Sequence, residues 1–231
     1  MRALLIAARN DKGVVFGGDP ESFTLSGKGI SAVLLKMDEF QGRIGMPGAL
    51  IRKGGKPETS VLPPLPVPVI RMAKVSDAPS RNLTESEAAA LKPLLWQNKE
   101  VEENCADIFP GTLTLTPLDE GCVLISTQCW VAAYNDGSAY WVMDNALKGK
   151  PEFVTSDGSD YGGGVIYASH KGRGLGDCWD GRKWVWDGRE FRQSSEWHTG
   201  MCRGIRAGGA WHLPTLVTRV IDENGKDISS E

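Results

Sequence analysis

Histidine is scarce in this 231-residue chain: only His170, His198 and His212 occur. They form no HxH or HExxH pair, and the cysteines form no CxxC or CxxH pair, so the ligand spacing of a structural zinc site is missing. No GxSxG nucleophile elbow is present. The glycine-rich stretch Lys171-Gly172-Arg173-Gly174-Leu175-Gly176-Asp177 is spaced GxGxG, not GxGxxG, and no helix pattern follows it. Without a helix N-terminus an anion has no dipole to meet, so these glycines read as positive-φ turns. No apolar run approaches the ~18 residues needed to span a bilayer. Basic charge is not in excess either: 26 Lys+Arg against 29 Asp+Glu leave a net charge of −3, too little field to hold a phosphate backbone. These absences argue against a metal, a cofactor, a nucleic-acid partner and a membrane span. No repeat with a period of 20–50 residues is visible.

What is plentiful is tryptophan, eight against four tyrosines, together with five cysteines. With 41% hydrophobic and 24% charged residues the chain is an ordinary globular sequence, one large domain or two small ones. Cys105, Cys122, Cys129, Cys178 and Cys202 admit two readings. As buried free thiols they suit a reducing compartment; as disulfides they imply an oxidising one. The spacing favours disulfides, because Cys178 precedes and Cys202 follows a tryptophan-rich strand pattern, and Cys105 and Cys129 flank an earlier one. The N-terminus pulls the other way. The apolar run Ala3 to Ala8 is shorter than the ~7–15-residue core of a signal peptide and reads as a strand.

Along the chain, strands are predicted over residues 2–8, 22–25, 30–37 and 49–52, with turns at Gly13, Gly17-Gly18 and Asp19-Pro20. In Ile30 to Met37 apolar residues fall on both faces, the pattern of a strand buried on both sides. The proline-dense segment Leu62 to Ile70 excludes a central strand or helix and reads as an extended edge. One helix is well signalled: Thr84-Glu85-Ser86-Glu87 is a capping box, Leu91, Leu94 and Leu95 form its stripe, and Pro93 kinks or ends it. The Asn82-Leu83-Thr84 sequon overlaps that cap and reads as chance. From Gly111 onward the pattern is β, with hairpin turns at Asp136-Gly137 and Asp187-Gly188 and a last strand over 216–221.

Candidate chemistry is thin. Asp38, Glu39 and Arg43 read as a salt-bridged turn, since neighbours in an extended segment face opposite ways. Cys202 lies near His198, but a disulfide to Cys178 would remove the thiolate. The tryptophans carry more. Trp184 and Trp186, two apart on a strand, share a face, with Trp179, Trp197 and Trp211 nearby. Buried, they are core; exposed, they are stacking surfaces for a ligand. The candidate ligand-binding residues are Trp184, Trp186, Trp197, Trp130 and Tyr134.

Several stretches resemble the uncharacterised bacterial family known as domain of unknown function 1176: Gly172 to Cys178, Trp184 to Phe191, Met201-Cys202-Arg203-Gly204, Cys129-Trp130 with Ala133-Tyr134-Asn135, and Leu25 to Gly29 through Asp38 to Gly45. The N-terminal half is also similar to invasion-associated locus B proteins. The resemblance implies exported, periplasmic, β-rich proteins with no assigned activity, and it implies the pairs Cys178–Cys202 and Cys105–Cys129, leaving Cys122 as the odd thiol. Family members begin with a signal peptide and a segment carrying a Cys-Asp-Asn motif. Met1 stands where that segment should end, so the expectation is a natural chain that starts further upstream.

The expected protein is mainly β, two antiparallel β units joined by one helical connector and stabilised by disulfides. Its parts are an N-terminal β unit over 1–75, the connector over 76–109, a C-terminal antiparallel β unit over 110–222 and a tail over 223–231. The expected function is non-enzymatic binding of a peptide, glycan or protein partner in the periplasm or outside the cell. The alternatives are a periplasmic hydrolase whose carboxylates converge only in the fold, and a structural envelope factor.

Overall fold

The structure, a computed structural model, describes residues 2–10, 12–17, 22–61, 63–105 and 112–229. The turn expected at Asp19-Pro20, Leu62, Gly111 and residues 106–109 of the expected connector lie outside them. The chain divides into two compact units, Met1–Pro66 and Val67–Glu231.

The first unit contains helix α1 (Arg2–Ala8), a hairpin of β1 (Val14–Gly17) and β2 (Ser22–Leu25), helix α2 (Ile30–Phe40) and a 3₁₀ turn at Glu58–Ser60. Two expected strands are therefore helices. Residues 2–8 are rich in alanine and leucine, strong helix formers. Ile30 to Met37 shows why a short apolar run is ambiguous: an apolar residue on each side of a strand and an apolar stripe on a helix look alike over eight positions. Tertiary burial decides, because Leu34 and Asp38, one helical turn apart, form the buried face. Residues 49–52 make bends rather than a strand, and Asp38 explains them. Its buried carboxylate accepts the backbone N–H groups of Leu50 and Ile51, each at 2.8 Å. The salt-bridged turn expected of Asp38, Glu39 and Arg43 is thus replaced by a helix whose Glu39 pairs with Lys36 at 2.8 Å.

The second unit is mostly β. It begins with β3 (Val69–Arg71) and β4 (Arg81–Asn82), followed by helices α3 (Glu85–Leu95) and α4 (Lys99–Asn104). Then come β5 (Thr114–Pro117), β6 (Cys122–Val131), β7 (Asp136–Asp144) and β8 (Glu152–Gly158), which with β4 form an antiparallel sheet in the order β4-β5-β6-β7-β8. A second antiparallel sheet follows, built from β9 (Asp160–Gly162), β10 (Val165–Lys171), β11 (Trp179–Trp186), β12 (Phe191–His198) and β13 (Leu213–Val217) in the order β13-β12-β11-β10-β9. The expected strand over 216–221 is broken at Thr218. Its second part, β14 (Arg219–Ile221), pairs in parallel with β3, so the proline segment ends in an extended edge.

The first sheet is a middle layer. In β7 the odd positions Ala139, Trp141 and Met143 pack with Leu91, Leu95 and Val101 of the helices, while Tyr140 and Val142 pack with Ile166, Trp184 and Trp186 of the second sheet. Period-two alternation sends successive side chains to opposite faces, and here both faces are dry. Two disulfides pin these layers. Cys105–Cys129 ties the end of α4 to β6, and Cys178–Cys202 brackets the β11–β12 hairpin. Cys122 is the free thiol, half-buried, with its pKa pushed up by burial and by Asp119, Asp144 and Glu152. Helix α3 carries the predicted capping box in full, Thr84 and Glu87 bonding reciprocally, and ends two residues past Pro93. Arg81 adds two hydrogen bonds to the Glu87 carboxylate, at 2.7 and 2.8 Å.

Two expectations follow. Closing a loop across a sequence separation of 24 stabilises by about 3 kcal/mol in the chain-entropy model. A C178S/C202S variant should melt roughly 6–12 °C lower under non-reducing conditions; an unchanged midpoint would refute the bridge. The Arg81 and Thr84 bonds hold the Glu87 pKa down at about 2, below its value in the unfolded chain. Its contribution is therefore complete above the ordinary glutamate range and disappears as pH falls through about 2. E87Q should be less stable than the parent at neutral pH and indistinguishable from it near pH 2 in urea unfolding curves.

Candidate functional site

Strand β11 places Trp184 and Trp186 on one face, as their spacing requires, and that face is the inner one. Trp184 is 8% exposed and Trp186 is 0% exposed, packed with Tyr140, Val142 and Phe191. Neither ring is open to a ligand, so the expectation that they stack on one is corrected. The physical reason is area. An aromatic side chain buries roughly 150–250 Å², which at about 25 cal/mol/Å² corresponds to about 4–6 kcal/mol. That exceeds the roughly 1–3 kcal/mol cost of leaving the Trp186 indole N–H without a partner, as it is here.

The opposite face of the same strands borders a cleft of about 490 Å³. Its floor is aliphatic: Val165 of β10, Val185 of β11 and Val220 of β14 are buried together, with Met72 and Ile228 packed against them. Tyr167, Lys183 and Ser195 are direct cross-strand neighbours and so stand on this face, with the Lys183 ammonium 5.4 Å from the Tyr167 ring centroid. Trp197 borders the cleft beside His212, the ring centroids 5.3 Å apart. Its indole lies over Gly181, its cross-strand partner, where a Cβ would collide with the ring. Most polar groups are already engaged. Ser194 donates to the Lys183 carbonyl at 3.3 Å, Thr218 donates to the Ser194 carbonyl at 2.8 Å, and Ser229 accepts from the Val220 N–H at 2.8 Å. Glu196 gives its carboxylate to Arg182, at 3.1 Å.

Of the candidate residues the cleft gathers only Trp197. Trp130 lies elsewhere, over Gly137, donating its indole N–H to the Ser156 carbonyl at 3.1 Å with its ring 5.2 Å from His170. Tyr134 is exposed beside Gly174. Trp179 donates to the Gly176 carbonyl at 2.9 Å, and Trp211 is exposed near a smaller hollow of about 280 Å³ beside Met201. The glycine-rich segment closes on itself: Asp177 takes two hydrogen bonds from Arg173, which hold its carboxyl well below the usual carboxylate range, and accepts from the Gly204 N–H. Cys202 is in its disulfide, so it presents no thiolate to His198. The acids that converge, Asp157 and Glu196, do so on Arg182, at 3.0 and 3.1 Å, and link the two sheets. Among the described residues no group of three or more His, Cys, Asp or Glu is placed to hold a metal ion. Sequence reasoning missed Tyr167, Lys183 and His212. For Tyr167 and Lys183 the signal was the odd-numbered face of β10 and β11, complementary to the tryptophan face; His212, just before β13, had none.

Gly181→Ala should displace the Trp197 indole, red-shift the tryptophan emission and destabilise by about 1–3 kcal/mol through overpacking. Unaltered emission and an unaltered urea midpoint would contradict this placement.

"Uncharacterized protein YpfG" of Escherichia coli (strain K12) is 27% identical over 216 residues, covering 85% of this chain and 60% of that protein. The chain thus spans about 60% of the length of this curated relative. No solved structure matches. The pattern of the family "Protein of unknown function (DUF1176)" matches residues 1–218, and the chain belongs to that family.

Proposed function

We propose that this is an exported, non-enzymatic binding protein of the cell envelope that holds its ligand in the cleft on the outer face of the second sheet. The observation that carries this reading is the cleft itself: about 490 Å³, aliphatic at its floor and lined also by Trp197, Tyr167 and Lys183. Ligand pockets commonly measure roughly 300–1,000 Å³ and combine an apolar lining with a few placed polar groups. Ser195, His212 and Glu196 all border it, yet no hydrogen bond joins Ser195 to His212 or His212 to Glu196, so the nucleophile–base–orienter chain of a hydrolase has no support in this geometry. The disulfides support the compartment, since such bonds persist where the surroundings are oxidising. No described helix is long and apolar enough to cross a membrane. Export and a likeness of the N-terminal half to invasion-associated locus B proteins belong to the same reading.

Ser195→Trp places an indole in the cleft. It should leave the melting midpoint within a few degrees and reduce the saturable fluorescence enhancement of 1-anilinonaphthalene-8-sulfonate at least tenfold. Equal dye binding by parent and variant would sink the cleft as a ligand site.

A further inference from the structure

We infer that the cleft takes a single-chain anionic amphiphile, an alkyl chain ending in a carboxylate; this rests on the binding role proposed above and names its ligand class. Three observations converge. First, the cleft is apolar: the buried side chains Val165, Val185 and Val220 close its floor, and Pro214 and Val217 of β13, cross-strand from Trp197 and Ser195, line it with apolar surface still open to water. Such a surface gains by removing hydrocarbon from water and asks for no hydrogen bonds.

Second, the open polar side chains of the cleft are confined to Lys183, Tyr167, Ser195, Trp197 and His212. Ser194, Thr218 and Ser229 are already bonded to the protein. A glycan would bring more hydroxyls than these side chains can answer, and each one desolvated without a partner costs binding energy. A peptide meets the same difficulty. The floor is the face of a hydrogen-bonded sheet, whose backbone groups point along the sheet to neighbouring strands and not up into the cleft.

Third, the Lys183 ammonium lines the cleft without an ion pair. The Lys183 ammonium stands over the Tyr167 ring, and no described carboxylate lies within ion-pairing distance of it. Glu196, the acid that borders the cleft, is engaged with Arg182 at 3.1 Å, which also pairs with Asp157 at 3.0 Å. An anionic head at Lys183 would make a charge-assisted hydrogen bond while its chain lies along the aliphatic floor. A cationic head would meet repulsion.

The test is calorimetric titration of the whole chain, below the micelle concentrations, with octanoate, decanoate and laurate, with dodecyltrimethylammonium, and with chitotriose. The variants are K183Q and S195W. Laurate should bind one-to-one, with affinity rising roughly fourfold per added methylene along the carboxylate series. It should bind at least tenfold tighter than dodecyltrimethylammonium. K183Q should weaken laurate about tenfold and erase its advantage over the cationic chain, while S195W removes binding of both. Equal affinity for the two head groups, or a K183Q variant that binds laurate like the parent, overturns the inference. Chitotriose binding that S195W abolishes, with no laurate binding, overturns it too but leaves the cleft as a ligand site. The cleft reading itself falls separately, if S195W binds the anilinonaphthalene dye like the parent.

Discussion

Burial of the first sheet on both faces is the constraint from which the rest of the second unit follows. Strands β6 and β7 carry unbroken apolar runs, Cys122 to Ile125 and Ala139 to Met143, and a sheet dry on both sides needs a cover for each. Helices α3 and α4 supply one through Leu91, Leu95 and Val101. The second sheet supplies the other through Ile166, Trp184, Trp186 and Phe191. Once the even-numbered tryptophans of β11 are committed inward, alternation obliges Lys183 and Val185 to point away. The cleft is thus the outer side of the face that completes the core.

Polar contacts at the margins hold the layers in register. The Asn135 side chain, in the turn between β6 and β7, exchanges two hydrogen bonds of 2.9 Å with the backbone of Lys171, continuing β10 as a short strand would. Arg182 joins Asp157 of one sheet to Glu196 of the other. Each of these groups is partly exposed, so its worth lies more in fixing geometry than in net stability. Two tryptophans at the edges, Trp130 and Trp197, share one device: each lies over a cross-strand glycine, Gly137 or Gly181. The flat ring covers backbone that the glycine leaves bare and is itself held at a set angle. This pairing keeps Trp197 at the rim of the cleft and out of the core.

Local signals were legible where they are chemically complete within a few residues. The Thr84–Glu87 box and the Asp187-Gly188 turn need only their own neighbours, and both form as read. The same holds for the shared face of Trp184 and Trp186, which follows from strand geometry alone. Residues 30–37 failed because strand and helix bury the same apolar content with different periods, and eight residues do not separate the two. Residues 49–52 failed for another reason. The amides of Leu50 and Ile51 are satisfied by a side chain, Asp38, more than ten residues away, and no local pattern announces that.

By itself the sequence determined a mainly β chain, one capped helix, the tryptophan hairpin and, through family resemblance, the two cysteine pairs. It did so because capping, turn chemistry and alternation act over short range. Which way the tryptophan face points was decided only by tertiary structure, since period two is symmetric between the two sides of a strand and only the partner sheet breaks that symmetry. The same choice decided the site. Lys183, Tyr167 and His212 carry no motif, and they become neighbours only when β10, β11 and the approach to β13 are folded together.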